Sequence, residues 1–241
     1  MLQNKVALIT GAGRGIGRAT AIAFAQAGAD VALLARTKEQ LSETAALVQQ
    51  AGRQALVIPA DVTSDPRHVI EAIKERFGKL DILVNNAGQA GPIGPIATNN
   101  MDDWRRCLEV NLLAPVAMCK AALSLMRQGR IINVASGAGT LIIPYFSAYV
   151  TSKCALIRFS EVLAKELELE AQGIKVFVIE PGTVRTELLE TTRSSQEAKQ
   201  WLPLLDHLVD QHLDIPVEQA AQFILKLASG QADELSGRFV K

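Results

Sequence analysis

The chain has 241 residues, 49% of them apolar, and its 25 lysines and arginines balance 25 aspartates and glutamates. A formal charge of zero argues against a general nucleic-acid binder or a protein that adsorbs to membrane surfaces, and high apolar content with low net charge excludes a disordered chain. No linker, repeat or low-complexity tract divides the sequence, so we expect a single domain over residues 1–241.

Seven short runs rich in β-branched and other apolar residues predict strands. Most of them do not alternate with polar residues, which is typical of strands buried on both faces of a parallel sheet. The runs cover residues 6–9, 30–35, 54–58, 81–84, 130–134, 174–179 and 238–240.

Stretches of helical character lie between these runs. Residues 16–27, 38–51 and 66–77 are each followed directly by a glycine, the residue preferred just after a helix. Alternating strands and helices, joined by right-handed crossovers, predict an α/β fold: a doubly wound, Rossmann-like parallel sheet of about seven strands with helices on both faces. Residues 186–215 contain no clear strand, and we expect them to form a lid over the substrate.

Glycines cluster directly after the first predicted strand, where residues 10–17 read T-G-A-G-R-G-I-G. Glycines permit a tight turn and the close approach of a phosphate, and the N-terminus of the following helix offers free N–H groups. Ile16 stands where the pattern G-x-G-x-x-G needs its third glycine, so the spacing that fits is T-G-x-x-x-G-x-G, with Gly11, Gly15 and Gly17. In a strand–turn–helix context this spacing predicts a dinucleotide site.

The end of the second predicted strand indicates which dinucleotide. NAD-binding folds of this kind usually place Asp or Glu there for the ribose 2′-hydroxyl, whereas residues 34–37 read L-A-R-T. Arg36 is therefore free to bind a 2′-phosphate, and Arg14 can approach the same group. We expect NADP(H) as the cofactor; the alternative is that both arginines are solvated surface residues.

Tyr149 and Lys153 are four residues apart and share one face of a predicted helix. An ammonium beside a phenol favours the phenolate, so we expect Lys153 to lower the pKa of Tyr149 toward the range of an acid/base catalyst. The pattern Y-x-x-x-K is common and often structural. Ser136, however, follows the predicted strand 130–134 at the end that faces the ligand crevice, where its hydroxyl can meet the tyrosine.

Together these motifs make the sequence closely resemble the compact short-chain dehydrogenase/reductase family, including its members similar to 3-oxoacyl-carrier-protein reductase. The resemblance covers nearly the whole chain. Its motifs are T-G-x-x-x-G-I-G at 10–17, Asp61-Val62, N-N-A-G at 85–88, Asn111 in V-N-L, Ser136, Tyr149 with Lys153, and P-G-T-V-R-T at 181–186.

The resemblance implies hydride transfer between a nicotinamide and a carbonyl or alcohol carbon. By analogy, Tyr149 is the general acid in reduction, Ser136 hydrogen-bonds the substrate oxygen, and Lys153 holds the nicotinamide ribose and tunes Tyr149. Asn111 anchors a water that relays protons to Lys153; the alternative for Asn111 is a helix break before Pro115. A developing alkoxide needs a preorganised donor and a proton source, which Ser136 and Tyr149 supply.

The resemblance also implies contacts with the rest of the cofactor. Asp61 would accept a hydrogen bond from the adenine amine, and residues 86–88 would lie alongside the adenosine ribose. Residues 181–184 with Thr186 would hold the nicotinamide carboxamide. Asp61 could instead be an acid at a helix N-terminus, and Asn86 a turn residue. The expected cofactor-binding residues are Gly11, Arg14, Gly15, Ile16, Gly17, Arg36, Asp61, Val62, Asn86, Ala87, Gly88, Tyr149, Lys153, Pro181, Gly182, Val184 and Thr186.

The sequence fits an NADPH-dependent carbonyl reductase better than it fits two other function classes. A catalytically silent NADP(H)-binding regulator has no need for all four of Asn111, Ser136, Tyr149 and Lys153. A sugar-nucleotide epimerase or dehydratase would need a glycine in place of Arg14 and a larger C-terminal domain. The sequence shows no recognisable nucleic-acid-binding module.

The substrate is less well defined. Apolar side chains in residues 186–215 and after Ser136 suit a ketone or aldehyde with an apolar body, with a 3-oxoacyl thioester as the main alternative, although core or interface packing explains them equally well. These residues are Leu141, Ile142, Ile143, Tyr145, Phe146, Leu188, Leu189, Trp201, Leu202, Leu204, Leu205, Leu208, Val209 and Leu213. Trp104, Arg105 and Arg106 are interpreted as surface or interface residues of a helix.

The predicted helices over residues 101–127 and 148–171 correspond to one of the two interfaces usual in the family, so we expect a homodimer or a homotetramer. Many relatives continue after their last strand with Asp-Gly-Gly and a tail, whereas this sequence reads F-V-K at 239–241. Because that tail forms the other interface, we expect a dimer or a weak tetramer.

Cysteine and histidine usage indicates neither disulfides nor a metal. Cys107, Cys119 and Cys154 are an odd number without a C-x-x-C pattern, and the three histidines have no zinc-site spacing. The apolar run at residues 6–9 is too short for a signal-peptide core, so we expect a cytoplasmic protein without a membrane partner.

Overall fold

A seven-stranded parallel sheet forms the centre of the computed structural model, which describes residues 1–211 and 213–241. The strands are β1 (Val6–Thr10), β2 (Asp30–Ala35), β3 (Ala55–Pro59), β4 (Ile82–Asn85), β5 (Gln128–Val134), β6 (Gly173–Ile179) and β7 (Phe239–Val240). Their order is β3-β2-β1-β4-β5-β6-β7, and all neighbours are parallel. The chain winds outward from β1 and restarts at β4, so the crevice between β1 and β4 is where a ligand is expected.

Helices cover both faces of the sheet and confirm the doubly wound prediction. They are α1 (Gly15–Gln26), α2 (Lys38–Gln50), α3 (Arg67–Phe77), α4 (Met101–Leu108), α5 (Ala114–Ala122), α6 (Ser147–Leu169), α7 (Glu187–Ser194), α8 (Gln196–Trp201), α9 (Leu204–Asp210) and α10 (Val217–Ala228). Within the described ranges, no helix combines the length and the apolar character that crossing a bilayer requires.

Successive residues of a strand enter different hydrophobic cores. Ile9 of β1 packs into a core with residues of α1, α2 and α10, whereas Leu8 packs into a second core with residues of α3, α5 and α6. Both side chains are fully buried. This two-sided burial explains why the strand sequences are apolar throughout rather than alternating.

The helix predicted over residues 101–127 is wrong as one continuous α-helix. After α4, residues Glu109–Leu113 form a π-helical turn in which the N–H of Ala114 bonds to the carbonyl of Glu109, and α5 then ends at Ala122. Pro115 accounts for the change, since it has no N–H to donate to the carbonyl of Asn111 four residues earlier. The backbone passes from α4 through this turn into α5 without leaving the helical conformation, so the helix break that the alternative for Asn111 expected before Pro115 does not occur.

Residues 186–215 fold into the three short helices α7, α8 and α9. Thr186 caps α7 by accepting from the N–H of Leu189, and Ser195 caps α8 by accepting from the N–H of Ala198. A parallel bridge between Val184 and Ile215 brings the ends of the segment together. Residue 212 lies outside the described residues.

A chain of buried amide and hydroxyl groups links β4, β5 and α6. The Asn85 amide donates to Asn133 Oδ1 at 2.8 Å, the Asn133 amide donates to Ser160 Oγ at 2.8 Å, and Ser160 Oγ donates to the Leu156 carbonyl at 2.7 Å. Buried polar groups are costly unless they are hydrogen-bonded, so these bonds fix two strands and a helix relative to one another.

We expect Asn133→Ala to lower the free energy of unfolding by about 2 to 3 kcal/mol, because it leaves buried partners in Asn85 and Ser160 with fewer bonds. Urea denaturation measures the change. Asn99→Ala is the matched control, since the Asn99 amide makes one long 3.3 Å bond in a loop. Equal losses in the two variants would contradict the role assigned to the buried chain.

Candidate active site

A cavity of about 730 Å³ opens at the C-terminal ends of the central strands. Its walls are formed by the turn after β1 and by the loops that follow β2, β3, β4, β5 and β6. The predicted site residues that line it are Gly11, Arg14, Gly15, Ile16, Arg36, Asp61, Val62, Asn86, Ala87, Gly88, Ser136, Tyr149, Lys153, Pro181, Gly182, Val184 and Thr186. Gly17 and Asn111 do not line the cavity and lie behind the residues that form its wall.

The glycine turn has no room for side chains at two of its positions. A Cβ on Gly17 would overlap the carbonyl oxygen of Gly11, and a Cβ on Gly11 would lie 2.9 Å from the Asn86 amide nitrogen. Gly11 also has a φ of +67°, which favours glycine. Gly17 therefore lets α1 pack directly on the turn, which places the helix N-terminus at the cavity.

Thr10 and Asn86 hold the turn after β1 against the loop after β4. The hydroxyl of Thr10 accepts from the N–H groups of Asn86 and Ala87, both at 3.0 Å, and the Asn86 side chain donates to the Thr10 carbonyl at 2.9 Å. The Asn86 side chain thus has the structural role that the alternative interpretation gave it, while its backbone borders the cavity. The sequence motif at residues 10–17 did not reveal this anchoring role of Thr10.

The two arginines expected at a 2′-phosphate differ in their surroundings. Arg36 is exposed at the cavity edge just after β2, and no described carboxylate lies within ion-pair distance of it. Arg14, in contrast, forms an ion pair with Glu187 in the first turn of α7. Arg36 is therefore the arginine whose guanidinium is available to an incoming anion, whereas Arg14 would first have to leave Glu187.

Tyr149, Lys153 and Ser136 meet at the end of β5. Lys153 Nζ lies 5.7 Å from the centroid of the Tyr149 ring and donates to the Val134 carbonyl at 2.9 Å. The ring of Phe146 stacks on Tyr149 with centroids 4.7 Å apart, which orients the phenol. Ser136 follows Val134 by two residues, so its hydroxyl comes to the same place.

The prediction that Lys153 lowers the pKa of Tyr149 is wrong in this arrangement. Burial raises the pKa of Tyr149, and the nearby Ser136 hydroxyl only partly opposes that rise. Burial also lowers the pKa of Lys153 to about 8, so its amine is partly neutral near pH 8. Tyr149 therefore keeps its proton at neutral pH, which is the state that a general acid needs.

The Asn111 side chain is hydrogen-bonded within the protein. Its amide donates to the Gln89 carbonyl at 2.8 Å and to Ser152 Oγ at 3.1 Å, and its Oδ1 accepts from the Gln89 N–H at 2.9 Å. These bonds tie the π-helical turn to the chain just after the N-N-A-G motif. The side chain of Asn111 thus positions the cavity wall, and its part in a proton relay stays a prediction.

Arg106 is not the surface or interface residue that the sequence suggested. It lines the cavity, and its Nη2 donates to Asp61 Oδ2 at 2.6 Å. Arg106 lies one helical turn before Val110, which lines the cavity as well. The four-residue spacing between Arg106 and the first residue of the V-N-L motif could have identified Arg106 as a residue of the cavity wall.

The far end of the cavity is largely apolar, although it also contains Glu180, which sequence reasoning did not single out. The carboxylate of Glu180 packs where a side chain on Gly137 would otherwise lie, beside Ser136. The predicted apolar residues that line the cavity are Leu141, Ile143, Phe146, Leu188, Leu189, Leu202, Leu204, Leu205 and Leu208. Ile142, Tyr145, Trp201, Val209 and Leu213 are not lining residues, and Tyr145 packs on Trp201 with ring centroids 4.6 Å apart.

The cysteines are all unpaired: Cys107 and Cys119 are buried and Cys154 is exposed. Cys107 lies against Asn111 and Ser152 behind the cavity wall, and burial raises the pKa of its thiol. Among the residues that the structure describes, no three His, Cys, Asp or Glu side chains are grouped so that they could hold a metal ion.

The lowered pKa of Lys153 predicts a pH-dependent stability cost. Below pH 8 the folded protein must bury an ammonium, whereas above the ordinary pKa of 10.5 the amine is neutral in both states and the cost disappears. We expect Lys153→Met to raise the free energy of unfolding by about 1 to 3 kcal/mol at pH 7 and to give no gain at pH 10.5. Urea unfolding of both proteins at the two pH values measures this.

Lys165→Met on the exposed face of the same helix is the control for that measurement, since Lys165 makes only a local ion pair with Glu168. We expect it to show no pH-dependent gain. A gain from Lys153→Met that is the same at both pH values would mean that burial of charge is not its cause.

Comparison with known proteins agrees with this geometry. A family model described as short chain dehydrogenase matches residues 5–197. An uncharacterized oxidoreductase of Thermotoga maritima is 35% identical, over 99% of this chain and 95% of its own length. The structure of NAD⁺-bound xylitol dehydrogenase has a TM-score of 0.88 at 30% identity, covering 99% of this chain and 97% of that one.

A short chain dehydrogenase from Burkholderia cenocepacia in complex with NADP also has a TM-score of 0.88 at 30% identity, covering 99% of this chain and 96% of that one. Relatives of this fold therefore include both an NAD⁺ complex and an NADP complex. The matched family model, the similarity along the chain and the shared fold agree with the motifs gathered in the cavity. The chain belongs to the short-chain dehydrogenase family of oxidoreductases.

Proposed function

We propose that the protein is an NADPH-dependent carbonyl reductase that converts a ketone or aldehyde to the alcohol, with Tyr149 as general acid. Residues 1–241 act as one domain, and residues 186–215 cover the substrate. The observation that carries the proposal is the meeting of Ser136, Tyr149 and Lys153 in the cavity that also contains the glycine turn. The bound nicotinamide supplies the hydride.

The turn after β1 suits the phosphates of a dinucleotide. The first turn of α1 has no acidic residue, so the helix's own side chains do not repel an anion at its N-terminus. The glycines keep the backbone N–H groups accessible. In this proposal Gly11 to Gly17 hold the pyrophosphate, residues 86–88 border the adenosine ribose, and residues 181–184 with Thr186 hold the carboxamide.

The chemistry of reduction requires one proton and a donor for the substrate oxygen. Tyr149, with its raised pKa, holds the proton on its phenolic oxygen until charge develops on the substrate. Ser136 donates a second hydrogen bond to the same oxygen, and Lys153 holds the nicotinamide ribose. The bonds of Asn111 to Gln89 and Ser152 keep this wall in place, and a proton relay through Lys153 would restore the phenol.

We expect Tyr149→Phe to lower turnover by at least about 100-fold while NADPH binding stays nearly intact, because the variant loses the general acid but keeps the ring that stacks on Phe146. Steady-state kinetics and a fluorescence titration with NADPH measure the two effects. Tyr145→Phe is the matched control. Equal turnover in Tyr149→Phe and the parent would disprove the assigned role.

The preference for NADPH rests on Arg36. Its exposed guanidinium follows β2 with no described carboxylate beside it, so it can bond the 2′-phosphate bidentately. Arg14 is a second contact once it separates from Glu187. The NADP complex among the related structures supports this choice, while the NAD⁺ complex shows that the fold accepts both.

We expect Ala35→Asp combined with Arg36→Ile to invert the cofactor preference. Removal of Arg36 lowers the affinity for NADPH by about 10- to 150-fold, the scale of a charge-assisted hydrogen bond. A carboxylate at position 35 repels the 2′-phosphate of NADPH and accepts a hydrogen bond from the free 2′-hydroxyl of NADH. The measurement is the ratio of kcat/KM for NADPH to that for NADH. A parent that favours NADH, or a ratio unchanged by the substitutions, would refute the assignment.

The apolar end of the cavity favours a substrate with an apolar body, and a 3-oxoacyl thioester fits the same chemistry. NADPH oxidation with ketones, aldehydes, diketones and 3-oxoacyl thioesters identifies the class. A parent that binds NADPH but turns over none of them would favour the alternative, a catalytically silent NADP(H)-binding regulator.

We also propose that the protein assembles as a homodimer or homotetramer. Apolar side chains remain exposed at the π-helical turn and on α6, where Leu113, Val162 and Leu169 are 56%, 48% and 76% exposed. These residues suit an interface between copies. We expect light scattering to give at least a dimer, and a monomer mass that does not change with concentration would contradict this.

A further inference from the structure

The carboxylate of Asp61 belongs to a closed ring of hydrogen bonds at the edge of the cavity. Asp61 Oδ1 accepts from the Thr63 N–H at 2.9 Å and from Thr63 Oγ1 at 2.8 Å. Arg106 donates to Asp61 Oδ2 at 2.6 Å through Nη2 and to Thr63 Oγ1 at 2.7 Å through Nη1. One guanidinium therefore bonds both members of the pair and closes the ring.

The ring leaves one hydrogen-bond acceptor position of the Asp61 carboxylate unfilled. A carboxylate has about four lone-pair positions, two on each oxygen. Thr63 fills both positions on Oδ1, and Arg106 fills one on Oδ2. The remaining position on Oδ2 has no partner among the described residues, and Asp61 lines the cavity. A ligand that bonds to Asp61 must therefore bring a donor to that position.

The ring also keeps the carboxylate an acceptor. Partial burial raises the pKa of Asp61, but the bonds from Thr63 and Arg106 outweigh it and lower the pKa overall. Asp61 is thus ionised throughout the neutral range. An ionised carboxylate has no proton to donate, so a carbonyl oxygen placed at Oδ2 would be repelled.

We propose that Arg106 is a positioning residue that aims the open acceptor of Asp61 at the 6-amino group of the adenine, and so makes the site select a 6-amino over a 6-oxo purine. The inference rests on the proposed dinucleotide function. Arg106 reaches the site from α4, whereas Asp61 and Thr63 lie on the loop after β3, so it fixes this carboxylate from a separate element. Lysine can replace it only in part, because a single ammonium lacks the planar fork that spans Asp61 and Thr63.

The test compares NADPH with its hypoxanthine analogue, nicotinamide hypoxanthine dinucleotide phosphate, in which an oxygen replaces the 6-amino group. Dissociation constants are measured by fluorescence titration on the parent, Arg106→Met and Arg106→Lys. Arg105→Met is the matched control, because Arg105 lies on the same helix, bonds only to Asp102 and does not line the cavity. Using Lys as a second variant keeps the test valid if the Met variant fails to fold.

We expect the parent to bind NADPH about 10-fold more tightly than the analogue, the scale of one hydrogen bond to a charged group. Arg106→Met should lose most of that ratio by weakening NADPH, with the affinity for the analogue changed less than about 2-fold; Arg106→Lys should lose it in part. Arg105→Met should keep the ratio of the parent.

Equal weakening of both nucleotides in Arg106→Met would overturn the inference, since it would mean that Arg106 only stabilises α4. An unchanged ratio would overturn it as well. A parent that binds both nucleotides equally would remove the contact between Asp61 and the purine, and with it this inference, while leaving the reductase proposal intact. A parent that binds neither would refute the proposed function itself.

Discussion

The buried bond between Lys153 and the Val134 carbonyl sets the geometry of the site. It joins α6 to the end of β5 at 2.9 Å, in a place where Lys153 is only 4% exposed. Tyr149 precedes Lys153 by about one helical turn, and Ser136 follows Val134 by two residues, so a single contact brings the hydroxyl groups of Tyr149 and Ser136 together. The chain of Asn85, Asn133 and Ser160 secures the same strand and helix one layer deeper.

Burial has opposite effects on the two members of the Tyr149 and Lys153 pair. It raises the pKa of the phenol, which keeps its proton, and lowers the pKa of the amine, which gives up its proton more readily than usual. Sequence spacing correctly predicted that the two side chains share a helix face, but it could not predict the sign of the shift. The sign depends on how much water surrounds each group, and strands distant in sequence decide that.

The sequence predicted the strands, the helices around the glycine turn and many residues of the cavity wall, because apolar runs and turn glycines are local signals. It missed features that depend on tertiary contacts. Pro115 was recognised as a helix breaker, but the π-helical turn that accommodates it also depends on the bonds of Asn111 to Gln89. Arg106 resembled a surface residue because its partners, Asp61 and Thr63, lie more than forty residues earlier in the chain.

The ion pair between Arg14 and Glu187 couples the glycine turn to α7, and Gly15 packs near Thr186 at the same junction. A phosphate that draws Arg14 toward itself also releases the first turn of α7. Because such coupling is reciprocal, a substrate that moved α7 would change the affinity for the nucleotide by the same factor by which the nucleotide changes the affinity for that substrate. In the proposed function the two ligands would then not bind independently, and the ligand that binds first would alter the binding free energy of the other.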